Sequence, residues 1–278
     1  MDPHHIRAKA IAFRNLHHGP KILVLPNAWD CVSARIFEQA GFSAIATTSG
    51  GIAAVLGYPD GQRISSREML AIVGRIAKTV SLPVTADLEA GYGTTTEQVA
   101  ETMRQAIAVG VVGANLEDGS GAGHRLADLA YQVEVIKAIR AMAESSGVPF
   151  VLNARTDVYL HGTGDDASRF KETVRRAEAY REAGADCVFP IGLKDRETIA
   201  RFVPEIGCPT NIMAGPGAPT IAELEQLGVT RVTFGTGLMR VTLPLIRQMA
   251  QELRTSGICD SLAQTEFTHV TVNQLFKK

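Results

Sequence analysis

The chain has 278 residues, 45% of them hydrophobic and 21% charged, with a formal net charge of -1 at pH 7. That composition can bury a core and has no surplus of basic charge, which excludes a disordered chain and a general nucleic-acid binder. Cys31, Cys187, Cys208 and Cys259 are scattered and form no CxxC pair, so neither a disulfide framework nor a zinc knuckle is expected, and a reducing cytoplasm suits them.

Read from the start, Met1-Asp2-Pro3-His4-His5-Ile6-Arg7 is polar and lacks the apolar stretch of a secretory signal, and no later segment has the length of a membrane span. Residues 1–20 are expected to form an N-terminal helix. Short apolar runs then recur near Ile22–Leu25, Ala44–Thr47, Val84–Ala86, Val112–Leu116, Phe150–Asn153, Cys187–Phe189, Thr210–Met213 and Arg231–Phe234, with helix-like stretches between them. The segment Arg169–Ala183 shows the alternation of an outer helix: Phe170, Val174, Ala177 and Tyr180 or Arg181 fall on one face, and Lys171, Glu172, Arg175 and Glu178 lie elsewhere. Repeated βα units of this kind predict one α/β domain over 1–278, a closed (β/α)8 TIM-type barrel; a doubly wound open sheet is the alternative. The open sheet would more naturally place a GxGxxG turn after the first strand, where Asn27-Ala28-Trp29-Asp30 stands. The tail 256–278 is too apolar for a free end, with Leu262, Phe267, Val270, Val272, Leu275 and Phe276, and should pack on the barrel or on a neighbouring subunit.

In such a barrel the chemistry sits at the carboxyl ends of the strands. The third run leads into Asp87-Leu88-Glu89, the fourth into Glu117-Asp118 and the fifth into Asn153-Ala154-Arg155-Thr156-Asp157. Carboxylates gathered this closely repel one another unless a cation sits among them. Oxygen donors without nearby His or Cys point to a hard ion at Asp87, Glu89 and Glu117, Mg²⁺ first and Mn²⁺ second. Arg155 extends a cationic fork toward a carboxylate or a developing oxyanion, or forms a structural ion pair with Glu117 or Asp157, and the two readings are compatible. Ser49-Gly50-Gly51 offers backbone N–H groups and a hydroxyl to a carboxylate or keto oxygen. Gly215-Pro216-Gly217 and Gly235-Thr236-Gly237 are read mainly as tight turns, with phosphate binding as the second reading.

The series Pro26-Asn27-Ala28-Trp29-Asp30, Thr48-Ser49-Gly50-Gly51, Gly57-Tyr58-Pro59-Asp60, Asp87-Leu88-Glu89-Ala90-Gly91-Tyr92-Gly93, Asn115-Leu116-Glu117-Asp118 and Asn153-Ala154-Arg155-Thr156-Asp157 resembles, in content and order, the isocitrate lyase/phosphoenolpyruvate mutase superfamily across nearly the whole barrel. The resemblance implies Mg²⁺ near Asp60, Asp87, Glu89 and Glu117, with Asp87 as the direct ligand and others acting through water. It implies that Ser49, Gly50 and Gly51 hold the substrate carboxylate, that Trp29 and Asp30 line the pocket, and that Arg155 binds an enolate or carboxylate oxygen. It also implies a homo-oligomer, dimer or tetramer, in which a C-terminal helix is exchanged between subunits.

The lyases of that superfamily carry a Lys-Lys/Arg-Cys-Gly-His loop after the fourth strand, with the thiol as acid or base. Here the corresponding run is Gly119-Ser120-Gly121-Ala122-Gly123-His124, in which Ala122 cannot transfer a proton. His124 and Tyr92 are the candidate proton-transfer groups, although His124 beside Arg125 could instead order the loop and Tyr92 could pack under the substrate. Asn211 could face the mouth or hydrogen-bond within the barrel. The expected activity is carbon–carbon lysis of a small 2-hydroxy or 2-oxo carboxylic acid of the isocitrate or 2-methylisocitrate type, through a metal-stabilised enolate. The alternatives are an oxaloacetate-type decarboxylase or phosphonopyruvate/PEP mutase-like enzyme and, from another class, a catalytically silent 2-oxo acid-binding barrel.

Overall fold

The computed structural model describes residues 3–120 and 125–277. Its strands are β1 (Leu23–Val24), β2 (Asn27–Ala28), β3 (Ile45–Thr47), β4 (Val84–Asp87), β5 (Gly113–Glu117), β6 (Gly119–Ser120), β7 (Arg125–Leu126), β8 (Val151–Thr156), β9 (Cys187–Pro190), β10 (Asn211–Met213) and β11 (Arg231–Thr233). Parallel pairing runs β2-β3-β4-β5-β8-β9 and, separately, β1-β11-β10. The two sheets meet twice. A parallel bridge between Val188 and Thr210 joins β9 to β10. At the other seam β1 and β2 are two ends of one stave interrupted at Pro26, where Leu25 N–H donates to Val232 O and Pro26 O accepts from Ala46 N–H. The result is a ring of eight staves, the (β/α)8 barrel, with the β6-β7 antiparallel pair as a hairpin at its rim.

Helices follow the staves as the polar and apolar alternation requires. In the helix Asp166–Glu182, Thr173, Val174, Ala177 and Tyr180 are buried, and Asp165 caps its first turn by accepting from Ser168 N–H. Arg176 is also buried on that face because it serves a polar cluster described below. The N-terminal helix, Pro3–Leu16, buries Ile6, Ala10 and Phe13. It closes the amino-terminal end of the barrel: a methyl group at Gly113, the first residue of β5, would stand 3.0 Å from the Phe13 ring, so glycine there admits the plug.

The observed strands lie within a residue of the expected ones at most ends. The exception is β8, which continues to Thr156 rather than ending at Asn153, because Thr156 still pairs with Pro190 of β9. Arg155 therefore belongs to a stave, not to the loop after it.

Beyond β11 the short helix Gly237–Arg240 leads into Leu243–Ser256, a helix with no buried residue, followed by a 3-10 turn at Asp260–Gln264 and a last helix His269–Gln274. The tail is helical, but most of it does not pack on its own barrel. Only its end returns, where Leu275 is buried and its carbonyl accepts from Arg35 Nε. No helix among the described residues is long and apolar enough to cross a membrane.

Candidate active site

Strand register places the acids side by side. Asp87, the last residue of β4, is level with Asn115 of β5, and Glu117, the last of β5, is level with Arg155 of β8. Because side chains alternate along a strand, Asn115 and Glu117 share one face of β5, as Asn153 and Arg155 do on β8. The short helix Ser49–Val55 starts against them, with Thr48 as its N-cap. Ser49 donates to Asp87 Oδ2 from its backbone N–H at 3.0 Å and its hydroxyl at 2.8 Å, while Asn115 Nδ2 donates to Asp87 Oδ1 at 3.2 Å. The backbone N–H of Asp87 is held in turn by Thr47 Oγ1.

Asp60 reaches the same mouth from the loop after Ser49–Val55. A Cβ at Gly50 would stand 2.7 Å from Asp60 Oδ2 and 2.9 Å from Thr236 Cγ2, and one at Gly51 would stand 2.9 Å from Trp29 Cβ. The two glycines thus leave room for Asp60, Thr236 and Trp29 to close around the helix start. Trp29 is half-buried and meets Phe37 edge to face, with ring centroids 6.4 Å apart. The Asp30 carboxylate is engaged in its own N-cap, accepting from Ser33 N–H and Ser33 Oγ at 2.7 and 2.8 Å.

Glu89 and Tyr92 are built on left-handed backbone, with φ of 52° and 57°, and so is Gln62 at 55°. The three hold one another: Tyr92 hydroxyl donates to Glu89 Oε1 at 2.7 Å, Gln62 N–H donates to Glu89 Oε2, and Tyr92 N–H donates to Gln62 Oε1 at 2.9 Å. Such conformations persist where the surroundings over-determine them, and here they tie the Asp60 loop to the turn after β4.

Electrostatics at the mouth are governed by burial among like charges. Burial, with Asp87 and Asp60 adding repulsion against the pull of the Tyr92 hydroxyl, pushes Glu89 up to about 7. Burial and then Asp87 raise Asp60. Burial lifts Glu117 well above the ordinary carboxylate range despite Arg155. The Tyr92 hydroxyl is driven upward by burial and by Glu89, so it stays neutral and acts as a donor. Arg155 Nη1 lies 2.5 Å from Glu117 Oε2, and its Nε and Nη2 form a two-pronged pair with Asp157 at 2.6 and 2.8 Å. Arg155 thus pairs with both Glu117 and Asp157, where the sequence suggested one or the other. Burial opposes its charge, but Glu117 and Asp157 more than offset that and keep it a cation.

Asp118, directly after β5, is a buried hub. Its Oδ1 accepts from Asp157 N–H at 2.8 Å, and its Oδ2 accepts from the Tyr180 hydroxyl at 2.6 Å and Arg176 Nη1 at 3.0 Å. Asp118 thereby fixes Asp157, and Asp157 fixes the guanidinium of Arg155.

The structure thus brings together Asp60, Asp87, Glu89, Glu117, Ser49, Gly50, Gly51, Tyr92 and Arg155. Asn211 is completely buried and exchanges hydrogen bonds with Thr233, the last residue of β11, at 3.1 and 3.3 Å. His124 and Ala122 fall outside the described residues. Around Gly235-Thr236-Gly237, Phe234 and Gly235 N–H both donate to Asn27 Oδ1, at 2.7 and 3.1 Å, so those donors serve a turn. Gln62, Asn115 and Asp118 were not singled out as individual site residues by the sequence, although Asn115 and Asp118 flank Glu117 within a motif that was.

The donor set for a cation is oxygen only. Among the described residues no three Asp, Glu, His or Cys side chains close on one point as direct ligands. Oxygen-only donors suit a hard cation that keeps part of its water, not a structural zinc. The raised proton affinities of Asp60, Glu89 and Glu117 are what a cationic charge among them would relieve.

A family model described as phosphoenolpyruvate phosphomutase matches residues 13–254. The 2-methylisocitrate lyase of Escherichia coli K12 is 31% identical over 254 residues, covering 88% of this chain and 83% of the relative. A crystal structure from Burkholderia cenocepacia J2315 superposes with a TM-score of 0.90 at 37% identity, covering 99% and 97% of the two chains. The crystal structure of 2,3-dimethylmalate lyase, a PEP mutase/isocitrate lyase superfamily member, gives 0.86 at 28% identity over 96% of this chain and 94% of that one.

Proposed function

We propose, from the premise that this chain belongs to the phosphoenolpyruvate phosphomutase family of the PEP mutase/isocitrate lyase superfamily, that it is a Mg²⁺-dependent carbon–carbon lyase acting on a small 2-hydroxy or 2-oxo carboxylic acid of the isocitrate or 2-methylisocitrate type. The observation that carries this reading is the convergence of Asp60, Asp87, Glu89 and Glu117 at one barrel mouth, beside Arg155 and the Ser49-Gly50-Gly51 helix start.

Asp87 would hold the ion directly, and Asp60, Glu89 and Glu117 would hold its water. Mg²⁺, when bound, supplies the Lewis acidity that draws charge from the carboxylate and keto oxygens of such an acid as a bond to the adjacent carbon breaks. The chain's own groups do the rest. The Ser49 hydroxyl, which donates to Asp87 in the free site, would turn to the substrate carboxylate together with the N–H groups that follow it. Arg155, held rigid by Glu117 and Asp157, presents a fixed positive charge to the developing oxyanion without having to reorganise. Trp29 and Thr236 narrow the mouth around Gly50 and Gly51 and limit the size of the acid. Proton transfer is assigned to His124 on the loop, with the neutral Tyr92 hydroxyl as the second donor.

The replacement of the lyase thiol by Ala122 favours a second reading, an oxaloacetate-type decarboxylation that needs no thiol acid. Both are tested on one panel of isocitrate, 2-methylisocitrate, oxaloacetate and phosphonopyruvate, with Mg²⁺ and with a chelator, scoring pyruvate, glyoxylate and succinate. Glyoxylate or pyruvate released together with succinate supports the lyase. Chelator-sensitive pyruvate from oxaloacetate alone supports the second reading. No turnover of any member, with chelator-sensitive binding of a 2-oxo acid, would leave a silent barrel. Exchange between subunits of a dimer or tetramer, expected of the tail 256–278, is extended to the helix Leu243–Ser256, which buries none of its residues in its own chain.

A further inference from the structure

The barrel floor holds a charge that the chemistry above does not use. Arg231 opens β11 and is completely buried, yet no carboxylate among the described residues forms an ion pair with it. A guanidinium withdrawn from water without a counter-ion is costly, and such a group calls for an account. Its Nε has no partner; its Nη1 lies 3.4 Å from His17 Nε2 and its Nη2 donates to Asn115 Oδ1 at 3.2 Å. His17 Nδ1 faces Phe13 O at 2.9 Å, an atom that can only accept, so Nδ1 carries the ring hydrogen and Nε2 turns its lone pair to the arginine.

Asn115 converts this into orientation at the mouth. Its amide oxygen accepts from Arg231 and from Asn153 Nδ2, the latter at 2.8 Å, which leaves its NH2 to face Asp87 Oδ1 at 3.2 Å. Turned the other way, the amide would set oxygen against carboxylate and NH2 against the guanidinium and a second NH2. The sign of the dipole that Asp87 meets is therefore set from the floor of the barrel. The other oxygen of Asp87 is taken by Ser49, so both ends of the carboxylate are fixed.

We propose that Arg231 is a positioning residue for the cation site: through Asn115 it fixes the orientation of Asp87. This rests on the reading that Asp87 binds a divalent cation. Partners of metal ligands commonly change metal affinity by about 10- to 100-fold when removed.

The test measures Mn²⁺ binding to the full chain, from the electron paramagnetic resonance signal of the free ion, for wild type, Asp87→Asn, Arg231→Met, Asn115→Leu and the Arg231→Met/Asn115→Leu pair. Arg231→Met and Asn115→Leu should each weaken Mn²⁺ binding about tenfold or more, and the pair should lose little beyond the worse single variant, because both cut one route. A merely structural arginine would lower the unfolding midpoint and leave the Mn²⁺ affinity of the folded protein alone. That result, or losses that multiply in the pair, overturns the proposal. If Arg231→Met does not fold, Arg231→Lys carries the test: an ammonium cannot reach His17 and Asn115 as a fork does, and unchanged Mn²⁺ affinity in that variant overturns the proposal equally. Wild type that binds no Mn²⁺, or Asp87→Asn that binds as wild type, overturns the functional reading and this inference with it. Binding lost in Asp87→Asn but unchanged in Arg231→Met overturns the inference alone.

Discussion

Ser49 donates twice to one oxygen of Asp87, from its backbone N–H at 3.0 Å and from its hydroxyl at 2.8 Å. The start of a short helix on one stave is thereby locked to the acid at the end of the next but one element, so the group assigned to bind the substrate carboxylate and the group assigned to bind the cation are in register before either ligand arrives. Ser49→Ala keeps the backbone donor and deletes the hydroxyl. A hydrogen bond to a charged group contributes about 1.5–3 kcal/mol, so kcat/KM for the best acid of the substrate panel should fall by about 10- to 100-fold. Steady-state kinetics check this, and a wild-type kcat/KM in the variant would remove Ser49 from the site.

Tyr180 tests the hub at Asp118. Its hydroxyl donates to Asp118 Oδ2 at 2.6 Å, both side chains are buried, and Arg176 Nη1 contacts both. Tyr180→Phe removes one donor from a buried carboxylate while Arg176 remains, and the expected cost is about 1–3 kcal/mol. Urea unfolding measures it as a lower midpoint at unchanged slope. An unchanged midpoint would mean that Arg176 alone satisfies Asp118.

How much of this was legible in the sequence follows from what each feature depends on. The barrel was, because staves covered on both faces read as short apolar runs and their acids appear directly at the ends, as at Asp87 and Glu117. The extra length of β8 was not, since Asn153, Arg155 and Thr156 break the apolar run and only pairing with β9 keeps them in the strand. The role of Asn115 depends on which atoms of Asp87, Asn153 and Arg231 meet it, and three distant segments supply them. Arg231 was visible as a charge inside a predicted strand, but its depth in the barrel floor is a tertiary fact. Gln62 carried no signal beyond its place two residues after Asp60, and its left-handed backbone exists because Glu89 and Tyr92 hold it.

His17 makes a prediction about acid stability. Burial, followed by the charge of Arg231, lowers its pKa from an ordinary 6.5 to about 3. The unfolded chain therefore binds a proton below about pH 6.5 that the folded chain refuses, and stability falls with falling pH from there until about pH 3. Between pH 7 and pH 5 this one group should cost about 2 kcal/mol. His17→Gln retains an acceptor for Arg231 and cannot titrate, so its urea midpoint should drop less than that of wild type over the same interval. Parallel losses in the two proteins would show that His17 is protonated in the folded state as readily as outside it.

The helix Leu243–Ser256 predicts the assembly state. It buries none of its residues in its own chain, and Leu245, Ile246 and Leu253 are 52%, 55% and 54% exposed. Ile246, Met249 and Leu253 recur at the spacing of one helical face, so the apolar side chains form a stripe and not a scatter. A stripe of this kind left in water is an aggregation hazard unless another surface covers it. The helix Cys31–Gln39 offers a matching exposed pair, Val32 and Ile36, close to where the returning tail is tied through Arg35 and Leu275. A second copy of the chain would supply both surfaces at once and close by symmetry. Light scattering after size exclusion should therefore give a dimer or tetramer for wild type, and Ile246→Glu with Leu253→Glu should shift the mass to the monomer while the far-ultraviolet circular dichroism stays that of an α/β barrel. A monomeric wild type at micromolar concentration would refute the exchange, since the stripe would then have to be tolerated in solvent.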